Sequence, residues 1–227
     1  MDDGSRNPPK YSDLNYNLGI LKILKLKENQ GIEYALNYGL RFILNKKYDF
    51  IGRIDCGDLC KPHRFKKQVT YLRNNSNIAL VGSWVNIIDS HGNHKYVLRH
   101  PSHHNKISKK MYLNSMFVHP SVVFRSCIIN KIGFYPLNFK AAEDYAFFFK
   151  IAKQFNTANI EEALLDYIID HQSISSQKRK IQVKSRIKII WKHFYFGYYP
   201  IYGLMRNILL LLASRNTTTA LKKLLYR

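Results

Sequence analysis

Carboxylates are scarce in this chain, and beyond Asp170 they stop. Its 227 residues hold 15 Asp and Glu against 36 Lys and Arg, a formal net charge of +21. After Asp170 there is no acid at all, while 12 Lys or Arg follow. Such an excess implies an anionic partner, whether nucleic acid, an anionic membrane surface or a phosphorylated substrate. Its concentration in the last third assigns that third a separate job. Cysteine is also sparse: Cys56, Cys60 and Cys127 are odd in number and lack zinc spacing, so they read as free thiols in a reducing compartment. The chain opens Met1-Asp2-Asp3, with neither a basic region nor an apolar run, so no secretory signal is expected and the location reads as cytoplasmic. No clean uncharged run of about 18 residues occurs either, because Pro200 and Arg206 interrupt the apolar residues 194–214. No nucleic-acid module is recognisable, so no nucleic-acid partner is expected. What is present, 46% hydrophobic and 14% aromatic residues, is globular composition. The length suits one α/β domain plus an appendage.

The organising stretch is residues 48–72. Residues 48–54 are aromatic and β-branched, as in an interior strand. Asp55 and Asp58 bracket Gly57 where that strand ends. Pro62 suits the first turn of the next helix, whose apolar stripe is expected at Phe65, Val69 and Leu72. Ligands of open α/β sheets bind beyond the strand carboxyl ends, and two carboxylates there suit a hard divalent cation held against a diphosphate. Turn formation and helix capping is the other reading of both aspartates.

Around this stretch, Asp2-Asp3-Gly4-Ser5 reads as a loop following a strand, and residues 20–27 as a short strand. Residues 31–45 read as a helix, 78–89 and 95–98 as a hairpin about a turn at 90–93, and 117–125 as a strand. Glu143 and Asp144 open a helix with Tyr145, Phe148, Phe149, Ala152 and Phe155 on one face, where capping is again an alternative role. A last strand covers 164–170, with Ser173 and Ser176 capping the segment after it. Alternation of strand and helix at these lengths argues for a parallel sheet. His100, His103 and His104 read as solvent-exposed. Residues 181–193 form a basic amphipathic stretch, and lysines and arginines flanking Trp191, Tyr195, Tyr198, Tyr199 and Tyr202 suit an interfacial element on anionic lipid. A helical pair packed on the domain is the alternative.

Together these stretches resemble a family 2 glycosyltransferase of GT-A fold. The resemblance is carried in order by Asp2-Asp3-Gly4-Ser5, by Asn29-Gln30-Gly31 with Ala35-Leu36-Asn37-Tyr38-Gly39, and by Arg53-Ile54-Asp55-Cys56-Gly57-Asp58 running on to Pro62-His63-Arg64-Phe65-Lys66-Lys67-Gln68. Val81-Gly82-Ser83-Trp84, His119-Pro120-Ser121-Val122-Val123-Phe124-Arg125 and Ala142-Glu143-Asp144-Tyr145 complete it. It implies a mostly parallel sheet flanked by helices over residues 1–176, with 177–227 as a basic, apolar helical tail at a membrane surface. It also implies transfer of a sugar, with inversion, from a nucleotide-diphosphate donor to the hydroxyl of a saccharide or lipid-linked acceptor, with Mn²⁺ or Mg²⁺, peripherally on the cytoplasmic face of a membrane.

By the same resemblance Asp2 and Asp3, with Asn29, Arg53 and Asp55, contact the nucleotide sugar. Asp58 is the metal ligand with Asp55 beside it, and Asp144, with Glu143 next to it, is the general base. Arg53 and Arg64 are candidate phosphate neighbours, with a plain surface or ion-pair role as the alternative for each. The family's motif has Asp where this chain has Gly57. Its members also begin with a strand, a helix and a second strand before the Asp-Asp-Gly-Ser loop, a unit absent here. An unpaired sheet edge is therefore expected, and a non-catalytic truncated relative is the alternative function.

Overall fold

The computed structural model describes residues 1–14, 16–169 and 178–212; the caps expected at Ser173 and Ser176 fall outside them. In chain order the elements are α1 (Ile32–Leu44), β1 (Phe50–Gly52), β2 (Leu59–Cys60), α2 (Arg64–Asn74), β3 (Ile78–Ile88) and β4 (His94–Leu98). There follow α3 (His104–Lys110), β5 (Val123–Arg125), α4 (Ile129–Ile132), α5 (Glu143–Gln154), β6 (Asn156–Ile168), α6 (Arg179–Lys192) and α7 (Tyr198–Leu212). The strands form one six-stranded sheet in the order β1-β5-β3-β6-β2, with β4 paired to β3.

The α/β class and the flanking helices are as expected, but the sheet is mixed rather than mostly parallel. Among its described strands only β3 and β6 run parallel. The other four pairings are antiparallel. The parallel pair joins the two longest strands through the crossover that carries α3, α4 and α5, as parallel pairing demands. Strand β3 is apolar on both faces, consistent with its central place. Its hairpin to β4 turns on Asp89, whose Oδ1 accepts the amides of His91 and Asn93, with Gly92 in the left-handed region at φ 83°.

Two expected strands are shorter than the pattern suggests. Residues 20–27 yield only a parallel bridge from Lys25 to Asp2, with Leu18 and Ile20 largely exposed; a lysine-alternating segment with nothing to pack against does not extend the sheet. The strand expected over 117–125 is confined to β5, because Pro120, which has no N–H to give a ladder, sits in a 3₁₀ turn at His119–Ser121. Among the described residues β1 pairs along one edge only, with β5. A cavity of about 510 Å³, lined by Met1, Leu24, Ile43, Phe50 and Ile51, borders it.

Helix α5 is buried nearly all round, not along one stripe: Ala146, Phe147 and Ile151 are as inaccessible as Tyr145, Phe148 and Phe149. Its rings interlock, with Phe147 stacked on Tyr135 at 4.1 Å between centroids. Helices α6 and α7 belong to the same core, α6 through Ile189 and Ile190 and α7 through Tyr199 and Leu204. Ser185 Oγ donates to Lys140 O at 2.9 Å, Tyr112 Oη to His193 O at 2.6 Å, and Gly203 seats against the Tyr112 carbonyl with no room for a Cβ.

Helix α2 buries a different face from the one periodicity suggests. Arg64, Gln68 and Leu72 point inward at 0% exposure, while Phe65 is 43% exposed. The reason is hydrogen bonding. Arg64 Nη2 donates to Arg53 O at 2.7 Å and to Val122 O at 3.5 Å, its Nε donates to Gln68 Oε1 at 3.0 Å, and Gln68 Nε2 serves the carbonyls of Val81 and Ser121. Removing a buried charged donor strands these acceptors. Arg64→Met is therefore expected to lower unfolding free energy by about 3 kcal/mol or more, at least twice the loss from Phe65→Ala, as read from urea midpoints.

Candidate active site

The loop after β1 is fixed from both sides. Arg53 N–H donates to Val122 O at 3.1 Å while Arg53 O accepts from Arg64. The Arg53 side chain then pairs with Asp55 at 2.5 Å. Asp58 N–H donates to Asp55 O at 3.3 Å, closing a turn, in which Gly57 stands at φ 95°. That conformation strains any residue with a Cβ, which accounts for glycine where the family motif has aspartate. Asp58 Oδ1 accepts the Ile168 amide at 3.0 Å, tying the loop to the end of β6. Its Oδ2 is buried without a partner among the described residues. Burial pushes Asp58 up to about 6, partly opposed by the Ile168 bond, and the Asp55 charge acts in the same direction as burial.

The second acidic pair opens α5. Ala141, just before it, has φ 58°, a left-handed conformation uncommon for a residue with a Cβ. Asp144 Oδ1 accepts the Tyr145 amide at 2.7 Å. Burial raises Asp144 above the usual carboxylate range, against the Tyr145 bond and the nearby Arg186 and Arg53 charges. Glu143 is pushed up to about 7, first by burial and then by Asp144; its Oε2 is buried and unpartnered among the described residues.

Both pairs meet. Asp55, Glu143 and Asp144 line one cavity of about 430 Å³, and Arg53 lies within the fields of Asp58, Glu143 and Asp144. The Tyr167 hydroxyl, on the cavity wall, is raised by burial and then by Asp58, Asp55 and Asp144. Asp2, Asp3 and Asn29 are placed differently. Asp3 accepts the Gln30 and Gly31 amides, each at 3.0 Å, and so holds the start of α1. The next residue, Ile32, lines the cavity. Asp2 is buried in its bridge to Lys25 and accepts the Ser5 amide at 3.1 Å. Asn29 is exposed and its backbone abuts Gly4. None of these three side chains lines that cavity.

Among the described residues no cluster of three or more His, Cys, Asp or Glu could hold a metal on its own. Mg²⁺-type ions are commonly held by one or two carboxylates together with substrate phosphates. The Asp55–Asp58 pair fits that mode, with the unpartnered, buried Asp58 Oδ2 as the free ligand atom. The remaining motif residues are structural. Arg64 is the buried clamp of α2. Arg125 binds the Ile78, Leu72 and Asn75 carbonyls. His119 Nε2 lies 3.0 Å from Tyr135 Oη and is held neutral by burial.

Sequence reasoning misses His100, Asn114, Tyr167, Gln182 and Arg186, all on the cavity wall. His100 is half-buried rather than exposed, and burial lowers it to about 4; His103 alone of the three histidines is fully exposed. Only the shared basic character of residues 181–193 hints at Arg186.

The α/β sheet thus carries acidic residues from two separate segments, Asp55 after β1 and Glu143 and Asp144 at the start of α5, to one cavity. The family model Glycosyl transferase family 2 matches residues 1–133, and the chain belongs to that family: it is a glycosyltransferase. The match ends before Glu143 and Asp144, but similarity to whole proteins runs further. The Escherichia coli UDP-Gal:alpha-D-GlcNAc-diphosphoundecaprenol beta-1,3-galactosyltransferase is 29% identical over 212 residues, 91% of this chain and 74% of that one. The O-antigen biosynthesis glycosyltransferase WbnJ of Escherichia coli is 32% identical over 156 residues, 67% of this chain and 59% of that one. The amylovoran biosynthesis glycosyltransferase AmsE of Erwinia amylovora is 28% identical, covering 85% of this chain and 73% of its own. Among solved structures, S. aureus TarS 1-349 superposes with a TM-score of 0.53 at 15% identity, over 81% of this chain and 53% of that one, which supports the fold.

Asp58 supplies a test independent of turnover. An acid held near 6 when folded, against 3.8 ordinarily, binds its proton more tightly in the folded protein. Its charge therefore opposes folding above pH 6, and the penalty fades as pH falls toward 4. Asp58→Asn keeps an oxygen for Ile168 and removes the buried charge. It is expected to raise Tm at pH 8 by roughly 2–4 °C, with the gain vanishing near pH 4, by calorimetry across that range.

Proposed function

We propose that this chain is an inverting glycosyltransferase that moves a sugar from a nucleotide-diphosphate donor to a hydroxyl of a lipid-linked saccharide, in cell-surface polysaccharide or glycolipid synthesis. The observation that carries this reading is that Asp55, Glu143 and Asp144 line one cleft, with Asp58 held to Ile168 beside the cleft residue Tyr167. Asp144 is the general base: held by the Tyr145 amide, it takes the proton from the acceptor hydroxyl as that oxygen attacks the anomeric carbon and the bond to the diphosphate breaks on the opposite face. Glu143 beside it, whose own proton affinity is raised by burial and by Asp144, accepts a substrate hydroxyl. Arg53 fixes Asp55, so that its second oxygen and the unpartnered Asp58 Oδ2 would serve a cation. A Mg²⁺ or Mn²⁺ bound there supplies Lewis-acid neutralisation of the departing diphosphate. Asp2, Asp3 and Asn29 are assigned to the nucleoside end, where Asp3 also keeps the α1 amides in place.

The lipid-linked acceptor draws on two supports. One is the diphosphoundecaprenol acceptor named for the galactosyltransferase relative. The other is the outer face of α6 and α7. On α7 the residues Tyr198, Tyr202, Met205, Leu209 and Leu212 are exposed at offsets of 4, 7, 11 and 14, opposite a packed face of Pro200, Gly203 and Asn207. Trp191 and Phe196 are exposed as well, both in ring contact with Phe194, and Lys184, Lys188 and Lys192 are exposed along α6. No described helix is long and apolar enough to cross a membrane. An apolar face rimmed by lysines suits the surface of an anionic membrane, on the cytoplasmic side where nucleotide sugars are supplied.

Two measurements test the reading. Asp144→Asn is expected to lower kcat by about 10²- to 10⁴-fold with donor KM little changed. Because burial raises Asp144 above the usual carboxylate range, wild-type kcat is expected to climb with pH until Asp144 is ionised and to fall as it is protonated at lower pH, in a pH–rate profile that Asp144→Asn abolishes. No transfer from any nucleotide sugar with Mg²⁺ or Mn²⁺, or an unaffected Asp144→Asn, leaves the non-catalytic relative as the answer. Separately, Leu209→Glu is expected to abolish sedimentation with phosphatidylglycerol vesicles at low salt while leaving transfer to a water-soluble acceptor intact.

A further inference from the structure

Three buried polar atoms on the wall of the Asp144 cavity have no hydrogen-bond partner among the described residues: Asn114 Oδ1, Glu143 Oε2 and Arg186 Nε. Two are acceptors and one is a cationic donor. Polar atoms kept from water without partners are costly, and their grouping on one wall describes a ligand. That ligand offers hydroxyl donors to Asn114 and Glu143 and an anionic acceptor to Arg186. A sugar bearing a phosphate has both.

We propose that Arg186 is the anion subsite for the acceptor, taking a phosphate oxygen of a lipid-linked saccharide diphosphate, while Asn114 and Glu143 accept hydroxyls of its sugar. This rests on the transferase reading above and specifies its acceptor half. The fold directs Arg186 to this role. Ser185 is buried and pinned to the Lys140 carbonyl, so the next residue is turned toward the cavity, and Gln182, one helical turn earlier, lines the same wall. The carboxylate whose charge acts on Arg186 is Asp144, with which it shares the cavity wall, so Arg186 stands beside the base. Arg206 is already committed to the Leu113 carbonyl at 2.6 Å and adds positive charge without closing the site.

The location also joins the cleft to the lipid face. Trp191 follows Arg186 by five residues on the same helix, a rise of roughly 7–8 Å, and is 67% exposed, stacked on Phe194. A phosphate held at Arg186 thus lies about one and a half turns from side chains suited to the interface, a spacing that lets the lipid stay in the membrane while its sugar reaches Asp144.

The test uses the full chain and one saccharide in two forms, as a polyprenyl diphosphate and as a neutral alkyl glycoside. Arg186→Gln is expected to raise KM for the diphosphate form by roughly ten- to a hundredfold, the range for a lost charged hydrogen bond. KM for the alkyl glycoside and for the donor should stay within about twofold, and Arg186→Lys should restore part of the loss. Equal weakening of both acceptors, or weaker donor and nucleoside diphosphate binding, overturns the assignment. Calorimetric titration of the diphosphate acceptor without donor separates the two levels. Arg186-dependent binding without any turnover upholds the subsite and sinks the transferase reading. Turnover indifferent to Arg186 does the reverse.

Discussion

Arg64 carries a full charge with no exposed surface, and the rest of the site depends on how that charge is solvated. Its guanidinium trades water for the carbonyls of Arg53 and Val122 and for Gln68. Those carbonyls belong to the exit of β1 and to the approach of β5, so the desolvation cost is met only when both strands are in place. The Arg53 backbone is thereby fixed, its side chain reaches Asp55, and the turn through Gly57 delivers Asp58 to the end of β6. Burial of Arg64 lowers its proton affinity while the nearby Cys60 and Asp58 sustain it. A charge in the core thus serves the geometry of charges in the cleft, without contacting substrate itself.

The cleft inverts the usual rule that buried polar groups are satisfied. Asp58, Glu143, Asn114 and Arg186 each keep an atom without a partner among the described residues, and the carboxylates Asp58, Glu143 and Asp144 are all shifted upward by burial. These groups destabilise the folded chain, and perturbed acids of this kind gather where chemistry is done. The surrounding fold bears the cost through the ring-packed α5 and the doubly covered β3. Asp3 shows the opposite choice: both its oxygens are used by the Gln30 and Gly31 amides, so it acts by positioning the backbone that leads into α1.

Much of this is legible in the residues, and the failures have physical causes. The α1 helix and the β3–β4 hairpin follow from apolar period and turn chemistry, and the Asp55–Asp58 loop is found by its spacing after an aromatic strand. The α2 stripe is misread because Arg64 and Gln68 are buried through hydrogen bonds, which hydrophobic periodicity does not register. The parallel sheet is overextended because strand and helix alternation does not reveal that β1, β2 and β5, at three, two and three residues, run antiparallel to their neighbours. Gly57 looks like a lost carboxylate in the sequence, whereas its φ of 95° shows a backbone requirement. Arg186 is invisible for a different reason: in a helix rich in lysine and arginine, composition does not say which cation turns inward.

That helix accounts for the charge asymmetry more fully than either a packed pair or a surface element alone. The basic tail is packed on the domain through Ile189 and Ile190 and also presents Lys184, Lys188 and Trp191 outward; packing and surface exposure belong to opposite faces of one element. With no carboxylate after Asp170, the inward guanidiniums of Arg186 and Arg206 find no acid within the tail. Asp144 is the acid whose charge reaches Arg186. In the proposed mechanism, proton transfer to Asp144 removes that counter-charge, so the field at Arg186 becomes more positive at the step where the acceptor must be held. On that proposal an acid-free tail strengthens the grip on an anionic acceptor, which a carboxylate on α6 or α7 beside Arg186 would cancel.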